Sequence, residues 1–253
     1  MSRSDARVLL VGIGGLGCPA AMALVKAGVT RLGLCDDDEV ERTNLHRQIL
    51  FGEADVGTPK VEAAARALRA MAPGLDLRLH RTRLLPDDAV ALVRDYDVVL
   101  EGSDNFATKF LAADACALAG VPVVHASAVR WVGTALAVGS SGGPCYRCLF
   151  EDVPGEDAPN CAEAGVMGPV VGVVAAAQVD LALGLLDGES ARSQESGPEH
   201  RTRVAGTLVT FDGRTGALRR RPVPRRADCP LCGPAPRIRL IDAASYASPA
   251  CAG

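Results

Sequence analysis

The chain has 253 residues, of which 48% are hydrophobic and 23% charged, and these proportions exclude a disordered or fibrous protein. Its 27 Lys and Arg residues face 30 Asp and Glu residues, and the resulting net charge of −3 argues against a nucleic-acid partner, because phosphate binding needs a concentrated positive surface. Only 4% of the residues are aromatic, which disfavours a stacking platform for single-stranded nucleic acid.

The sequence carries no predicted export or membrane-spanning segment. Residues 1–7 are polar and too short for a signal peptide, and the longest charge-free apolar stretch, residues 164–179, is shorter than a bilayer span. Nine cysteines in such a chain indicate reduced thiols, metal ligands or catalysis rather than a disulfide framework. We therefore expect a cytoplasmic protein without a membrane partner.

The first half of the chain alternates apolar runs of strand length with segments of helical type. The predicted strands span 7–12, 31–36, 75–80, 97–101 and 121–125, and the predicted helices span 16–28, 60–71, 86–93 and 106–119. Such alternation is typical of a doubly wound α/β fold, in which the strands lie parallel and helices cover the sheet.

The second half of the chain has a different pattern. A strand is predicted at 132–139, a buried helix at 169–187, and a hairpin from strands at 204–211 and 217–223. Polar loops are predicted at 151–163 and 188–202, and a frayed tail at 242–253. The hairpin favours an antiparallel extension of the sheet.

Four glycines follow the first predicted strand. Gly12, Gly14 and Gly17 match the pattern G-x-G-x-x-G, with Gly15 among them, where the strand gives way to a helix. Glycines allow the backbone to turn tightly and approach a phosphate, and a helix N-terminus presents N–H groups to the anion. Asp36, at the end of the second strand, is suited to accept hydrogen bonds from ribose hydroxyls. The pattern indicates a nucleotide site without separating NAD from ATP, and a structural turn is the alternative.

A dense charged and polar segment, DDDEVERTNLHRQ, occupies residues 36–48. An enzyme that acts on a triphosphate needs cations for the phosphate oxygens and acids for magnesium, whereas a dehydrogenase does not need such a segment here. The candidate phosphate ligands are Asn44, Arg47, Gln48 and, further along, Lys60. For either basic residue alone, a solvated surface cation is the alternative.

Asp104 lies just past the carboxyl end of a predicted parallel strand, between Ser103 and Asn105. Ligands bind at this edge of open α/β sheets, and a carboxylate there can hold magnesium through its oxygens. The alternative role is an N-cap for the helix predicted at 106–119.

Two C-x-x-C pairs lie far apart in the sequence, each in a turn that contains proline and glycine. Cys145 and Cys148 form one pair, and Cys229 and Cys232 form the other. Four thiolates at this spacing predict a closed tetrahedral zinc site of structural role, which would tie two distant segments together. Redox-active or incidental thiols are the alternative.

Cys161 differs from the remaining cysteines because it lies in the predicted polar loop at 151–163. A loop thiol near a nucleotide site can act as a nucleophile, and an exposed, unreactive thiol is an equally open alternative. Cys18, Cys35 and Cys116 fall within predicted helices or strands, so we expect them in the core.

Taken together, these motifs resemble those of the MoeB/ThiF/HesA family, the bacterial relatives of ubiquitin-activating enzymes. The resemblance runs in family order from about residue 6 to residue 233. Its motifs are GIGGLG at 12–17, D-x-D at 36–38, TNL-x-RQ at 43–48, G-x-PK at 57–60, SDN at 103–105, CYRC at 145–148, C-x-EAGV at 161–166 and C-x-x-C at 229–232.

The resemblance implies a Rossmann-like, doubly wound, mostly parallel sheet, extended by a C-terminal antiparallel portion with a structural zinc knuckle. It implies a single domain over residues 1–253, with a nucleotide-binding half at about 6–127 and a carrier-binding and zinc half at about 128–240. The implied ATP ligands are Gly12, Gly14, Gly15, Gly17, Asp36, Asp38, Asn44, Arg47, Gln48 and Lys60, and Asp104 is the implied magnesium ligand.

The reaction that the resemblance implies is adenylation of a small ubiquitin-fold carrier protein that ends in Gly-Gly. The carrier carboxylate attacks the α-phosphate of ATP, expels pyrophosphate and becomes an acyl-adenylate for sulfur transfer in a thiamine, molybdopterin or other thio-metabolite pathway. Because the carboxylate is itself the nucleophile, positioning and charge neutralisation are sufficient without a general base. Arg47, Lys60 and Asp104 are the implied catalytic residues, and Cys161 matches the family's loop cysteine as a candidate acyl acceptor.

The family usually forms homodimers, and a helix before the first strand carries an arginine that reaches the partner's ATP. Here only a few residues, Arg3 among them, precede the first predicted strand. Three alternatives follow: Arg3 takes the place of this arginine, the arginine is absent, or the start is truncated. No rhodanese domain is predicted after the zinc knuckle, so a separate sulfurtransferase is expected as the persulfide source. Two alternatives remain: a non-catalytic or truncated carrier-binding homologue, and an NAD-dependent oxidoreductase, which the charged segment 36–48 disfavours.

Overall fold

The structure, a computed structural model, describes residues 2–140, 143–152, 165–190 and 204–246, without the side chains of 189 and 190. The strands are β1 (Arg7–Val11), β2 (Arg31–Cys35), β3 (Asp76–His80), β4 (Val98–Glu101), β5 (Val123–Val129), β6 (Val132–Val138), β7 (Thr207–Asp212) and β8 (Ala217–Pro222). The α-helices are α1 (Gly17–Lys26), α2 (Lys60–Met71), α3 (Ala89–Arg94), α4 (Phe106–Ala119), α5 (Tyr146–Leu149) and α6 (Gly168–Ser190). Short 3₁₀ helices span Arg42–Asn44, Glu53–Asp55 and Ala243–Tyr246.

The strands form one sheet in the order β3-β2-β1-β4-β5-β6-β7-β8. Strands β1 to β5 pair in parallel, and β5 to β8 pair antiparallel. The chain passes from β1 outward to β2 and β3, then returns to β4 on the other side of β1. The carboxyl ends of β1 and β4 therefore form the switch point at which open α/β sheets bind ligands. The predicted doubly wound sheet with an antiparallel extension is confirmed.

Successive residues of the central strands face two separate cores. Val8 and Leu10 of β1 contact the core that includes α1, α2 and α6, whereas Leu9 and Val11 contact the core that includes α3 and α4. Side chains alternate between the two faces of a strand, so a strand covered on both faces must be apolar at every position. The continuous apolar run at the start of the chain is the sequence signature of that burial.

Helix α6 covers one face of the sheet. Over Gly168–Gly188 it is long and apolar enough to cross a membrane by length and composition, the one such helix among the described residues. More than half of this stretch is buried inside the protein, and α6 contacts α1 and strands β4 to β7. Its length and apolarity are therefore explained by its place in the core, as the predicted buried helix at 169–187 requires.

Several predicted boundaries are wrong by three or more residues. Strand β7 begins at Thr207 rather than at 204, because residues 205 and 206 form a turn. Helix α3 begins at Ala89 rather than 86, because residues 86–88 form a turn. Strand β5 continues to Val129 rather than ending at 125, because antiparallel pairing with β6 extends over its whole length. Residues 242–246 are not frayed: Tyr246 is buried, and its hydroxyl donates a hydrogen bond of 2.6 Å to Asp114.

The two predicted polar loops fall largely outside the described residues. Residues 188–190, assigned to the second of these loops, instead belong to helix α6. Cys161 also lies outside the described residues.

Candidate active site

Glycines at the end of β1 allow the chain to turn against two neighbouring segments. Gly12 has φ of +88°, a conformation that favours glycine, and a Cβ there would lie 3.1 Å from the Ser103 nitrogen. A Cβ on Gly17 would lie 2.1 Å from the Gly12 carbonyl oxygen. The first and third glycines of the motif are therefore required for packing of the loop against the β4–α4 turn and α1.

The N-terminus of α1 offers an uncompensated positive dipole to the site. Leu16 occupies the N-cap without a side-chain hydrogen bond, and no acidic residue lies in the first turn. Within the described part of the chain, no hydrogen bond uses the N–H groups of Gly14, Gly15 or Leu16. Unused N–H groups at a helix N-terminus form a binding site for phosphate.

Asp36 connects the end of β2 to the glycine loop. Its Oδ2 accepts a 2.6 Å hydrogen bond from the Ile13 N–H, and its Oδ1 accepts one of 2.9 Å from the Asp38 N–H. Burial raises the pKa of Asp36, while Lys60 and these N–H groups act in the opposite direction. The carboxylate thus holds the loop at the mouth of the site; its contact with ribose stays a prediction.

Lys60 is brought to this carboxylate by backbone pairing between two irregular segments. The Val40 N–H donates to the Thr58 carbonyl, and the Lys60 N–H donates to the Asp38 carbonyl, each at 2.9 Å. The Lys60 Nζ atom lies 2.6 Å from Asp38 Oδ2 and 3.9 Å from Asp36 Oδ1. With only 5% of its surface exposed, Lys60 is not a solvated surface cation.

Arg47 and Gln48 lie over the glycine loop. Arg47 donates a 2.7 Å hydrogen bond to the Asn44 side chain, and its aliphatic carbons would lie 3.3 Å from a Cβ placed on Gly15. Gln48 is buried, and its Oε1 atom has no hydrogen-bond partner among the described residues. A buried polar atom without a partner is costly, so its position at the cavity wall favours a bound polar ligand.

The turn between β4 and α4 shows which of two predicted roles, magnesium ligand or helix cap, is open to Asp104. The Asn105 side chain, not that of Asp104, caps α4 by accepting a 2.8 Å hydrogen bond from the Thr108 N–H. Asp104 is exposed and makes no hydrogen bond or ion pair within the described residues. The helix therefore does not depend on Asp104 for its cap, and the carboxylate is free to bind a ligand.

These segments surround one cavity of about 590 Å³, a volume typical of small-molecule sites. Its lining includes every predicted nucleotide residue except Gly17, namely Gly12, Gly14, Gly15, Asp36, Asp38, Asn44, Arg47, Gln48, Lys60 and Asp104. Arg83 and Asp37 also line it, and an ion pair of 3.3 Å joins them. No motif marks Arg83, which follows β3, so the sequence does not predict it as a site residue.

Cys35 also lines the cavity, but its chemistry does not suit a nucleophile. Its thiol donates to the Thr82 carbonyl oxygen, and burial raises the pKa of Cys35 to about 12. A thiol of such pKa carries almost no thiolate at neutral pH.

The four cysteines of the two C-x-x-C pairs lie together on the α4 side of the sheet. Their sulfurs are separated by 4.0 Å (Cys145–Cys148), 3.5 Å (Cys145–Cys229) and 3.4 Å (Cys148–Cys232). A tetrahedral Zn²⁺ with Zn–S bonds of about 2.3 Å requires S–S separations of about 3.8 Å. All four sulfurs lie within 4.8 Å of one another, so the donor set fits zinc.

Arg3 does not lie at the cavity. Its guanidinium forms an ion pair of 2.7 Å with Asp187 of α6, and both side chains are about half exposed. Arg3 is not among the residues that line the cavity.

Solved structures of low sequence identity share this fold. Escherichia coli MccB, in a crystal structure with ATP, aligns with a TM-score of 0.75 at 20% identity over 90% of this chain and 67% of MccB. MccB in complex with N-formylated MccA aligns with a TM-score of 0.77. At this identity the likeness concerns the fold alone.

Animal proteins are among the relatives of higher identity. The adenylyltransferase and sulfurtransferase MOCS3 of Mus musculus is 45% identical over 240 residues, which cover 94% of this chain and 50% of that protein. MOCS3 of Anopheles gambiae is 41% identical over 241 residues, with 94% and 52% covered. The chain thus spans about half the length of these relatives. The ThiF family model matches residues 2–231, and this protein therefore belongs to the ThiF family.

Proposed function

We propose that this protein is an ATP-dependent adenylyltransferase that activates the C-terminal Gly-Gly carboxylate of a small ubiquitin-fold sulfur carrier. The observation that carries the proposal is the single cavity in which the glycine loop, Lys60 and Asp104 meet. The names of the MOCS3 relatives support both adenylation and sulfur transfer. The pathway that the acyl-adenylate enters, whether thiamine, molybdopterin or another thio-metabolite, is left open by these observations.

Particular groups of the cavity lining suit the phosphates and the ribose of ATP. Unused N–H groups at the start of α1 would donate hydrogen bonds to the phosphates. Arg47 and Lys60 would supply positive charge to them. Gly15 leaves room for the Arg47 side chain to lie against the loop. Asp36 remains the proposed ligand of the ribose, and Gln48 offers a buried amide to the nucleotide.

In the proposed reaction a carrier carboxylate oxygen forms a bond to the α-phosphorus as the bond to pyrophosphate breaks. Two anions must approach each other, so the first task of the site is to neutralise charge. Arg47 and Lys60 perform this task near the phosphates. The second task is alignment of the carboxylate with the leaving group, for which the glycine loop and the cavity walls would hold the reacting groups in position. No proton has to be removed from the nucleophile.

Asp104 is the proposed magnesium ligand. It is a carboxylate at the carboxyl end of β4, lines the cavity and has no competing partner in the described residues. Oxygen ligands of this type are those that Mg²⁺ prefers. When bound, the metal would neutralise phosphate charge and help pyrophosphate to leave.

Zinc is the proposed occupant of the four-cysteine cluster, where it would have a structural role. All four positions of a tetrahedral ion would be filled by thiolates, so none remains for water or substrate. The site would join the segment that begins α5 to the segment that follows β8. No disulfide joins any of the seven described cysteines. The cytoplasm is the proposed location.

The remaining roles are proposals that rest on family resemblance. A homodimer, a carrier-binding surface in the second half of the chain and a separate sulfurtransferase are expected on this basis. Cys161 is the proposed candidate acyl acceptor.

The decisive experiment is ATP–pyrophosphate exchange with magnesium, with and without a Gly-Gly-ended carrier from the same genome. Carrier-dependent exchange is the expected result. A carrier truncated by its last two glycines is the matched control and should give only background exchange. Carrier binding without exchange would replace adenylation by the non-catalytic alternative, and binding of NAD in place of ATP would favour the oxidoreductase alternative.

A further inference from the structure

A buried carboxylate lies directly beneath the turn that carries Asp104. Glu101, the last residue of β4, is fully buried. Its Oε1 atom accepts a 2.7 Å hydrogen bond from the Ser103 N–H and a second one from the Ser103 hydroxyl. These bonds close the start of the turn onto the end of the strand.

The charge of Glu101 is balanced by groups from two neighbouring elements. Lys109, one turn into α4, places its Nζ atom 2.9 Å from Glu101 Oε2 and also donates a 2.7 Å hydrogen bond to the Ala126 carbonyl. His125 is the partner of Glu101 in the β4–β5 register, and its Nδ1 atom lies 3.2 Å from the same Oε2 atom. The position of each group is fixed, because Lys109 and His125 are both 3% exposed.

The backbone of Glu101 is held from the opposite face of the sheet. The Gln178 side chain of α6 donates hydrogen bonds of 2.9 Å to the Glu101 carbonyl and 2.8 Å to the Val124 carbonyl. Gln178 thereby joins β4 to β5 near the carboxyl ends of both strands. Side chain and backbone of Glu101 are therefore both fixed by buried partners.

Glu101 has neither the exposure nor the protonation of a catalytic acid or base. Both of its oxygens are engaged, and it is not among the residues that line the cavity. Burial by itself would raise the pKa of Glu101, but the Lys109 charge and the bonds from His125 and Ser103 lower it to about 2. The side chain is therefore a permanent buried anion.

The turn that Glu101 holds contacts the glycine loop without intervening space. A Cβ on Gly12 would lie 3.1 Å from the Ser103 nitrogen and 3.2 Å from the Gly102 oxygen. A Cβ on Gly102 would lie 3.1 Å from the Leu16 Cβ, so the turn also contacts the residue that caps α1. Displacement of the turn would therefore change both Asp104 and the glycine loop.

We propose that Glu101 is a positioning residue that holds Ser103 and Asp104 in register with the glycine loop. Lys109 and His125 act through Glu101 and do not touch the nucleotide. This inference rests on the proposed adenylation, because it assigns these residues to the same site.

The test removes both buried charges together, since loss of one partner would leave the other unpaired in the core. The double variant Glu101→Gln/Lys109→Met is expected to lower the rate of ATP–pyrophosphate exchange about 10- to 100-fold, the size of effect that a small misplacement of reacting groups produces. Hydrogen exchange of the backbone amides at 102–105 should become faster. Glu101→Asp, which keeps the charge but shortens the reach to Ser103, should show the same two effects more weakly.

The matched control is Asp114→Asn, because Asp114 is an equally buried carboxylate of α4 that pairs with Arg147 rather than with the turn. It should lower the melting temperature and leave amide exchange at 102–105 unchanged. Lys109→Arg, which keeps the cation, should retain most of the activity. Slow amide exchange and a normal rate in both Glu101 variants would overturn the proposal.

The two proposals fail in different ways. Absence of carrier-dependent exchange in the unaltered protein would reject adenylation. Amide exchange at 102–105 needs no substrate, so it would still decide whether Glu101 holds the turn.

Discussion

The Lys60 Nζ atom lies 2.6 Å from Asp38 Oδ2 and 3.9 Å from Asp36 Oδ1, so one buried cation is shared by two carboxylates at the edge of the cavity. The pairing follows from the backbone, since the Lys60 N–H also donates to the Asp38 carbonyl. A cation held in this way needs no reorganisation when negative charge develops nearby, which is the condition for electrostatic catalysis.

Replacement of Lys60 by alanine should therefore lower turnover more than ATP affinity. We expect the exchange rate at saturating ATP to fall about 100-fold or more, with a smaller change in the ATP concentration that gives half the maximal rate. Lys26→Ala is the matched control, because this exposed lysine of α1 does not line the cavity and should leave both values unchanged. Weaker ATP binding with unaltered turnover would instead show that Lys60 stabilises bound ATP and not the transition state.

Substitution of Asp104 should lower activity, whereas substitution of its neighbour Asn105 should lower stability. Asp104→Ala is expected to abolish magnesium-dependent exchange and leave the melting temperature nearly unchanged, because Asp104 is exposed and caps nothing. Asn105→Ala should cost about 1 kcal/mol of unfolding free energy, because it removes the cap of α4. Asp88→Ala, an exposed aspartate before α3 that is outside the cavity lining, serves as the control for Asp104. Normal exchange by Asp104→Ala would remove the magnesium assignment.

The parts of the site that the sequence predicts are those in which short motifs follow strands. The glycine loop, Asp36 and Asp104 each come directly after a strand whose burial is visible as an apolar run, and parallel strands place their carboxyl ends at one edge. Each C-x-x-C pair is likewise a short motif that is visible in the sequence. Only the contact between the two pairs depends on the tertiary structure. These parts of the site can be predicted without knowing the register in which the strands pair.

The parts that could not be predicted depend on pairing between distant residues. Glu101 and His125 meet only because β4 pairs with β5 in one particular register, and Lys109 reaches them because α4 packs on that face. Asp104 is a possible cap of α4 by sequence, and only the backbone geometry selects its neighbour Asn105 instead. Tyr246 is bonded to Asp114 across 132 residues, so its segment reads as an unstructured tail until the fold is known.

The four-cysteine cluster should hold one zinc ion per chain, and loss of a ligand should destabilise the fold. Cys145→Ser is expected to reduce bound zinc, measured by elemental analysis of the purified protein, and to lower the melting temperature. Cys116→Ala is the matched control, since Cys116 is a buried thiol of α4 outside the cluster and should leave zinc content unchanged. Acidification should release the metal as thiolates are protonated. A full complement of zinc in Cys145→Ser would show that the metal is held elsewhere.

His125 should make stability depend on pH. Burial lowers the pKa of His125 and the nearby Lys109 adds to this, while Glu101 and Asp114 act in the opposite direction. The folded state therefore binds a proton less readily than the unfolded chain, whose histidines titrate near ~6.5. Because the unfolded chain takes up the proton more readily, the unfolding free energy should fall as pH drops below about 6.5, by at most about 1.4 kcal/mol per pH unit for this one group.

The measurement is urea unfolding at a series of pH values between 7 and 5. The variant His125→Asn has no titrating ring, so its unfolding free energy should fall less steeply over this range. His80→Gln is the comparison, because burial also lowers the pKa of His80, but that ring is only partly buried and its removal should reduce the slope less. Equal slopes in the unaltered protein and His125→Asn would mean that His125 takes up its proton as readily in the folded state as in the unfolded chain.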